Sequence, residues 1–505
     1  MPECKCEKGM NPDLRFGTAP ASATTGASGD CPQKVRVAGV AGTFYPADPV
    51  ELADMVDQML AQVVPPPVTG SILGVVAPHA GYLYSGPVAA CTYAALKGRT
   101  WGRVVVLAPS HYEGFGFTSV YDGDAYETPL GRIPVDREFA GKLTEMDSSI
   151  CFSESGHRRM PQAAEHALEV QLPWLQRVLG NFTLVPVVMG DQSYPTCRAL
   201  GVALAQLISA EGDTLIVASS DLSHFHAHNE AVRMDHKTLN AMEAWDYFSM
   251  ARNFEARVWE ACGGGPIVAT MIAAERMGAN QAQVLKYAHS GNVSGDFERV
   301  VGYGAGLFVK AEGAISAPLL FAVTDLEKAE LLALARQSVE HAVLTGEAFE
   351  PASPAGPALQ QERGAFVTLR IDGALRGCIG FASVVHPLYR TVRDTATLAA
   401  LRDPRFQPVG PAELARLEYE ISVLSPLRRA LDASEIVIGE HGLLIKNGSH
   451  EGLLLPQVPV EQGWDRVTFL EHACTKAQLN PQAWKDAGTD IFKFTAVVFA
   501  EDRTL

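Results

Sequence analysis

Short runs of β-branched and aliphatic residues recur along the amino-terminal part of the chain, at Ser71–Val76 (SILGVV), Arg103–Leu107 (RVVVL), Thr183–Met189 (TLVPVVM) and Thr214–Ser219 (TLIVAS). They are too short for helices and too uniformly apolar for a half-exposed strand, so they read as strands buried on both faces, as in a parallel sheet. Between the first two, Pro87–Lys97 (PVAACTYAALK) predicts a crossover helix, which makes a βαβ unit. Order begins near Val35, a helix follows from about Val50 to Val63, and Pro65-Pro66-Pro67 closes it. After His111, the loop Glu113–Phe117 (EGFGF) leads into a hairpin region that ends near Val135.

The pattern changes past Lys310. AEGAISAP reads as a linker, and Thr324-Asp325-Leu326-Glu327 is a capping box that opens a helix to about Val343. Asp372-Gly373 inside Gly364–Phe381 is a hairpin signal, and Asn447-Gly448 marks a second turn. Further strands are expected at Leu417–Leu424, Gly442–Lys446, Gly452–Leu455 and Phe492–Ala500, with helices at Pro387–Leu401 and Trp464–Gln478. The predicted organisation is a disordered tail over 1–34, an α/β domain over 35–310 with a mostly parallel sheet and helices on both faces, a linker over 311–319, and an α+β domain over 320–505.

Composition narrows the function class. With 505 residues, 47% hydrophobic and 19% charged, the chain is that of a globular protein with more than one core. A net charge of -16 argues against a nucleic-acid or anionic-membrane surface. No apolar run approaches the roughly 20 residues of a membrane span, and the first residues lack the apolar centre of a signal peptide, so a cytoplasmic location is expected. The 9 cysteines are scattered and odd in number, which fits reduced thiols. Cys4 and Cys6 fall in the predicted tail.

Polar, reactive residues follow the buried strands. Ala77-Pro78-His79 and Ala108-Pro109-Ser110-His111 end two of them, so both histidines are expected side by side at the carboxyl ends of neighbouring parallel strands, where open α/β sheets bind ligands. Such a pair suits a metal site or a hydrogen-bonded pocket. Glu165 and Glu169, in EHALEVQLP, are expected one helical turn apart. With His166 they are read as residues orienting the ligands more than as ligands. Asp221 and His224 follow the strand at Thr214–Ser219, with His224 as candidate acid/base; His226 and His228 are expected to face solvent.

Cys262 lies just upstream of a helix predicted to begin near Pro266, whose dipole would lower its thiol pKa. It is the candidate third ligand, the alternative being a packing thiol. In the second domain, Arg376 and Cys378 share a strand face, able to hold a thiolate or an anion.

The motifs PHAGYLYSG, APSHYEGFG, EHALEVQLP, SSDLSHF, ACGGGPI and SGDFERVVGYGAG, in this order over about 35–310, resemble the Memo family, related in fold to class III extradiol dioxygenases. The resemblance implies a metal site of His79, His111 and Cys262, with Asp221 steadying His224 nearby. The dioxygenase relatives carry a glutamate at the position of Cys262, and a thiolate favours softer metals. Iron is the first expectation for the metal, with copper or zinc as alternatives.

LRGCIG (Leu375–Gly380), DPRF, LEYEISVLSP, HGLLIKNG and LLLPQV, over about 320–505, resemble the AMMECR family. Together the two resemblances are those of AmmeMemoRadiSam system proteins B and A fused, which implies a radical S-adenosylmethionine protein as partner and an unknown small-molecule or protein substrate. Three readings follow: a dioxygenase-like metal-dependent oxidoreductase, a non-catalytic metal- or peptide-binding partner of the radical enzyme, and, more weakly, a zinc hydrolase.

Overall fold

The structure is a computed structural model that describes residues 33–65, 67–158, 164–311, 323–354, 356–382, 386–430, 432–486 and 488–501. The expected tail up to residue 32, with Cys4 and Cys6, and the expected linker from 312 onward lie outside the described residues.

The amino-terminal domain is built on a nine-stranded sheet. Its strands are β1 (Ser71–Ala77), β2 (Arg103–Pro109), β3 (Thr118–Val120), β4 (Ile150–Phe152), β5 (Thr183–Met189), β6 (Thr214–Ser219), β7 (Asp221–His226), β8 (Gln281–His289) and β9 (Val300–Lys310). The spatial order is β7-β9-β1-β6-β2-β5-β3-β4, with β8 on β9. Strands β1, β6, β2 and β5 form the parallel centre read from the sequence; antiparallel pairs flank it on both sides.

Alternation along the central strands sends successive side chains to opposite faces. Val105, Leu107, Val185, Val187, Ile216 and Ala218 join one apolar core, under the helices Tyr194–Glu211 and Gly264–Arg276. Val104, Val106, Ala108, Leu184, Leu215 and Val217 join another, under the helices Pro49–Ala61, Tyr82–Ala94 and Leu172–Leu179. The sheet is therefore covered on both faces, as its apolar strands require.

Two sequence expectations are corrected here. β1 and β2 are not neighbours, because β6 inserts between them and pairs in parallel with both. The crossover helix starts at Tyr82, ahead of Pro87, where the Tyr82 N–H is already taken by the Phe44 carbonyl at 2.8 Å.

The carboxyl-terminal domain holds two four-stranded sheets. Its strands are β10 (Ala365–Ile371), β11 (Ala374–Phe381), β12 (Leu417–Leu424), β13 (Arg428–Arg429), β14 (Gly442–Asn447), β15 (His450–Leu454), β16 (Asp490–Phe494) and β17 (Ala496–Ala500). β10 and β11 make the expected hairpin, with Asp372 and Gly373 at φ 51 and 77, the left-handed pair that a two-residue turn needs. The single strand predicted over Phe492–Ala500 is two: β16 pairs with β14, and β17 pairs with β12 in the other sheet. Thr495 makes the crossing, held to Ser425 by backbone and hydroxyl bonds of 2.9 Å each.

Candidate metal centre

β1, β2 and β6 end at one edge, and the loops after them carry the centre. His79 follows β1, His111 follows β2, and Ser219, Ser220 and Asp221 continue from β6 into β7. Cys262 arrives from the opposite side, one residue before Gly263, the cap of the helix Gly264–Arg276. Donor atoms of His79, His111 and Cys262 all lie within 4.8 Å of one another. His79 is buried, Cys262 half-buried and His111 exposed, so the cluster opens on the His111 side.

Hydrogen bonding fixes which imidazole nitrogen faces the cluster. The Ser219 hydroxyl gives its one proton to the Ala167 carbonyl at 2.5 Å and accepts from Gln171 Nε2 at 2.7 Å. It can therefore only accept from His79 Nδ1, 2.9 Å away, so that Nδ1 carries the proton and Nε2 presents a lone pair. Burial together with His111 and His166 holds the His79 ring neutral.

His111 Nδ1 donates to Glu165 Oε1 at 3.0 Å, and the His111 backbone N–H donates to Glu165 Oε2 at 2.6 Å. Burial alone would raise the Glu165 carboxyl, but the His111 ring and the backbone donors outweigh it and hold it below the usual range. Nδ1 of each ring is thus held by an acceptor behind it, and His79 Nε2 meets the Cys262 sulfur at 3.0 Å.

The thiol does not follow the dipole argument. Burial, with Asp221 beside it, pushes the Cys262 thiol up, and its sulfur sits 3.0 Å from His79 Nε2 and accepts the Asp221 N–H at 3.3 Å. The desolvation of a sulfur packed beside a carboxyl outweighs the helix end. A metal ion reverses that balance, since it takes the ligand as thiolate. Two imidazoles and a thiol with donor atoms this close together fit a borderline or soft ion such as zinc, iron(II) or copper(I).

Three expected roles change. Asp221 does not brace His224: its Oδ1 accepts from the backbone N–H groups of His79 (2.8 Å) and Ala80 (3.3 Å), and burial pushes its carboxyl up to about 7. His224 is oriented by the Leu222 carbonyl, which takes its Nδ1 proton at 2.8 Å and leaves Nε2 free. Glu169 does not share a helical face with Glu165, because only a short 3-10 turn, Glu169–Gln171, precedes the helix Leu172–Leu179. Its fully buried carboxylate pairs with Arg36 and accepts from Gly39 N, Val40 N and Tyr45 Oη, which ties down the amino-terminal segment.

His166, expected behind the ligands, stacks on His111 at 4.8 Å and lies edge-on to His79 at 5.5 Å, with a buried Nδ1 that has no hydrogen-bond partner. His226 bonds Glu260 at 3.0 Å and His228 bonds His289 at 2.8 Å, so neither simply faces solvent. Sequence reasoning missed Ser219, Gln171 and Gln192. Gln192 spans the cysteine loop, donating to the Cys262 carbonyl at 2.8 Å and accepting the Gly265 N–H at 2.7 Å. Ser219 and Gln171 lie inside the SSDLSHF and EHALEVQLP motifs and Gln192 in none, but only convergence in space shows what they hold.

In the second domain, Arg376 turns from Cys378 to a two-pronged pair with Glu413 at 2.8 and 3.1 Å. Cys378 Sγ accepts from Thr368 Oγ1 at 3.2 Å, and burial raises its thiol. The nearby guanidinium is that of Arg405, which holds Asp403 at 2.6 Å and the Cys378 carbonyl at 3.1 Å.

The sequence model of the Memo-like protein family matches residues 36–307, which hold every residue of this centre. The chain belongs to the Memo-like family. Residues 332–499 match the AMMECR1 family model, so the Memo-like chain carries both modules. A MEMO1 family protein of Methanopyrus kandleri is 40% identical over 284 residues, covering 54% of this chain and 98% of the relative. One of Methanosarcina barkeri is 39% identical over 274 residues, with 54% and 98% coverage. An uncharacterized protein of Pyrococcus horikoshii, solved by crystallography, shares 41% identity over 34% of this chain and 90% of its own, with a TM-score of 0.34. Among the described residues of this Memo-like chain, no helix is long and apolar enough to cross a membrane.

Proposed function

We propose that the Memo-like domain is a metal-dependent oxidoreductase-like enzyme that binds its ion through His79, His111 and Cys262 and works with a radical S-adenosylmethionine protein on a shared substrate. The observation that carries the reading is the matched pair of imidazoles whose protons are committed outward, to Ser219 and Glu165. Such bracing is typical of metal-ligating histidines, and here it accompanies a thiol within reach of both rings.

When bound, the ion supplies a Lewis acid at an open face and, if it is iron or copper, a one-electron couple. The chain supplies the rest. Ser219 and Glu165 hold the ligand rings, and Asp221 fixes the His79 backbone. Burial keeps His224 neutral at neutral pH, and the Leu222 carbonyl aims its Nε2 to accept a proton from substrate.

A second reading, a metal-bearing docking module without turnover, draws on the exposed aromatic residues at the rim. Tyr112 is 50% exposed and 6.4 Å from the His111 ring; Phe225 is 60% exposed and 5.7 Å from the His224 ring. Two measurements test the readings together. Elemental analysis after anaerobic purification is expected to give near-stoichiometric metal in the parent and none in Cys262→Ala or His79→Ala. Metal retained in both variants refutes the centre. Substrate consumption with the radical enzyme that His224→Ala abolishes, metal content unchanged, supports the enzyme; an unaffected rate supports the docking module.

A further inference from the structure

The junction between the two domains has the composition of a protein–protein interface. Its centre is Asp490, 1% exposed, on β16. Asp490 Oδ2 accepts from Arg198 Nε at 2.5 Å and Tyr194 Oη at 3.0 Å; Oδ1 accepts from Arg276 Nη2 at 3.2 Å and Arg429 Nε at 3.2 Å. Of these donors only Arg429 belongs to the same domain as Asp490. Around it the apolar core runs without a break from Tyr194, Tyr247 and Phe248 into Leu444, Phe492 and Phe494, with the Phe248 and Phe492 rings 5.0 Å apart.

At the edge, Lys237 pairs with Glu362 at 2.5 Å and Arg252 with Glu451 at 3.2 Å. A desolvated anchor, an apolar centre and a charged rim are the anatomy of a recognition surface. Separating the domains would take Asp490 from Arg198 and Arg276 and leave Asp490 with Arg429 alone, a loss that a merely tethered pair would not build in. The Methanopyrus kandleri relative is covered over 98% of its length by 54% of this chain, so Memo-like proteins exist without this second domain.

We propose that the surface of the Memo-like domain around Tyr194, Arg198, Phe248 and Arg276 is a docking site specific for an AMMECR1-type domain, and that it holds that domain without the covalent connection. Chains lacking the second module would then present this face to one made separately. Asp490 is its anchor and the Lys237–Glu362 pair its charge-matched rim.

The test uses the full chain with a site-specific protease sequence inserted between residues 312 and 322. After cleavage of the folded protein, the two fragments are expected to co-elute one-to-one at micromolar concentration. Asp490→Asn should weaken their association at least tenfold. Lys237→Glu should weaken it less, and the added Glu362→Lys should restore it, a rescue that loss of folding cannot produce. Separation of the two fragments while circular dichroism shows both folded overturns the proposal. So does co-elution that neither Asp490→Asn nor the Lys237→Glu change alters.

Discussion

Two cysteines, one in each domain, look alike in sequence and differ in space. Cys262 has an imidazole lone pair 3.0 Å from its sulfur and a second histidine within reach. Cys378 has the Thr368 hydroxyl, and the cations around it are spent on Glu413 and Asp403. Both thiols are pushed up by burial. The difference lies in the neighbours: around Cys262 the donor atoms of two histidines lie within 4.8 Å, whereas around Cys378 the charges are already matched. Convergent ligand atoms make a candidate metal site; an arginine near a cysteine does not by itself make a thiolate.

Replacing one cysteine and then the other gives the sharpest contrast. Cys262→Ala should remove bound metal altogether, while Cys378→Ala should leave metal content unchanged, as elemental analysis will read. The neighbouring glutamates offer a second contrast. Glu169→Ala strands a buried Arg36 and should cost about 3–5 kcal/mol in denaturant unfolding. Glu165→Gln should leave stability nearer the parent but lower metal affinity by roughly 10–100-fold in competition with a chelator. Ser219→Ala, which removes the acceptor behind His79, should fall at the low end of that range.

The smallest effect concerns pH. At the domain junction burial pushes Glu275 up to about 7 and Asp246 up to about 6. Between their ordinary values and these, the folded chain holds protons that the unfolded chain releases, so stability should fall as pH rises from about 4.5 to 7. Glu275→Gln should flatten that slope in melting curves of the metal-free protein by a few degrees.

Much of the fold was readable because central strands buried on both faces must be continuously apolar, and three of the four such runs ended in residues singled out as reactive. The strand-end positions of the histidines and the Asp372-Gly373 turn were legible locally, whereas Cys262 was singled out against a packing thiol by the family resemblance. What was hidden depends on partners distant in sequence. No local pattern shows that β6 slides between β1 and β2, that Leu222 rather than Asp221 aims His224, or that Arg376 prefers Glu413 to Cys378. The strand over Phe492–Ala500 was misread because its apolar residues run on while the hydrogen-bonding partner changes at Thr495.

The insertion of β6 has a consequence for synthesis. As the chain leaves the ribosome, His79 and His111 emerge early, but the strand that separates and aligns them comes about a hundred residues later, and Cys262 later still. Until then the two histidine strands lack the neighbour that both require, and a metal ion meeting the nascent chain would find imidazoles without a frame. Loading of the proposed ion is therefore expected after the domain has closed, through the exposed His111 side.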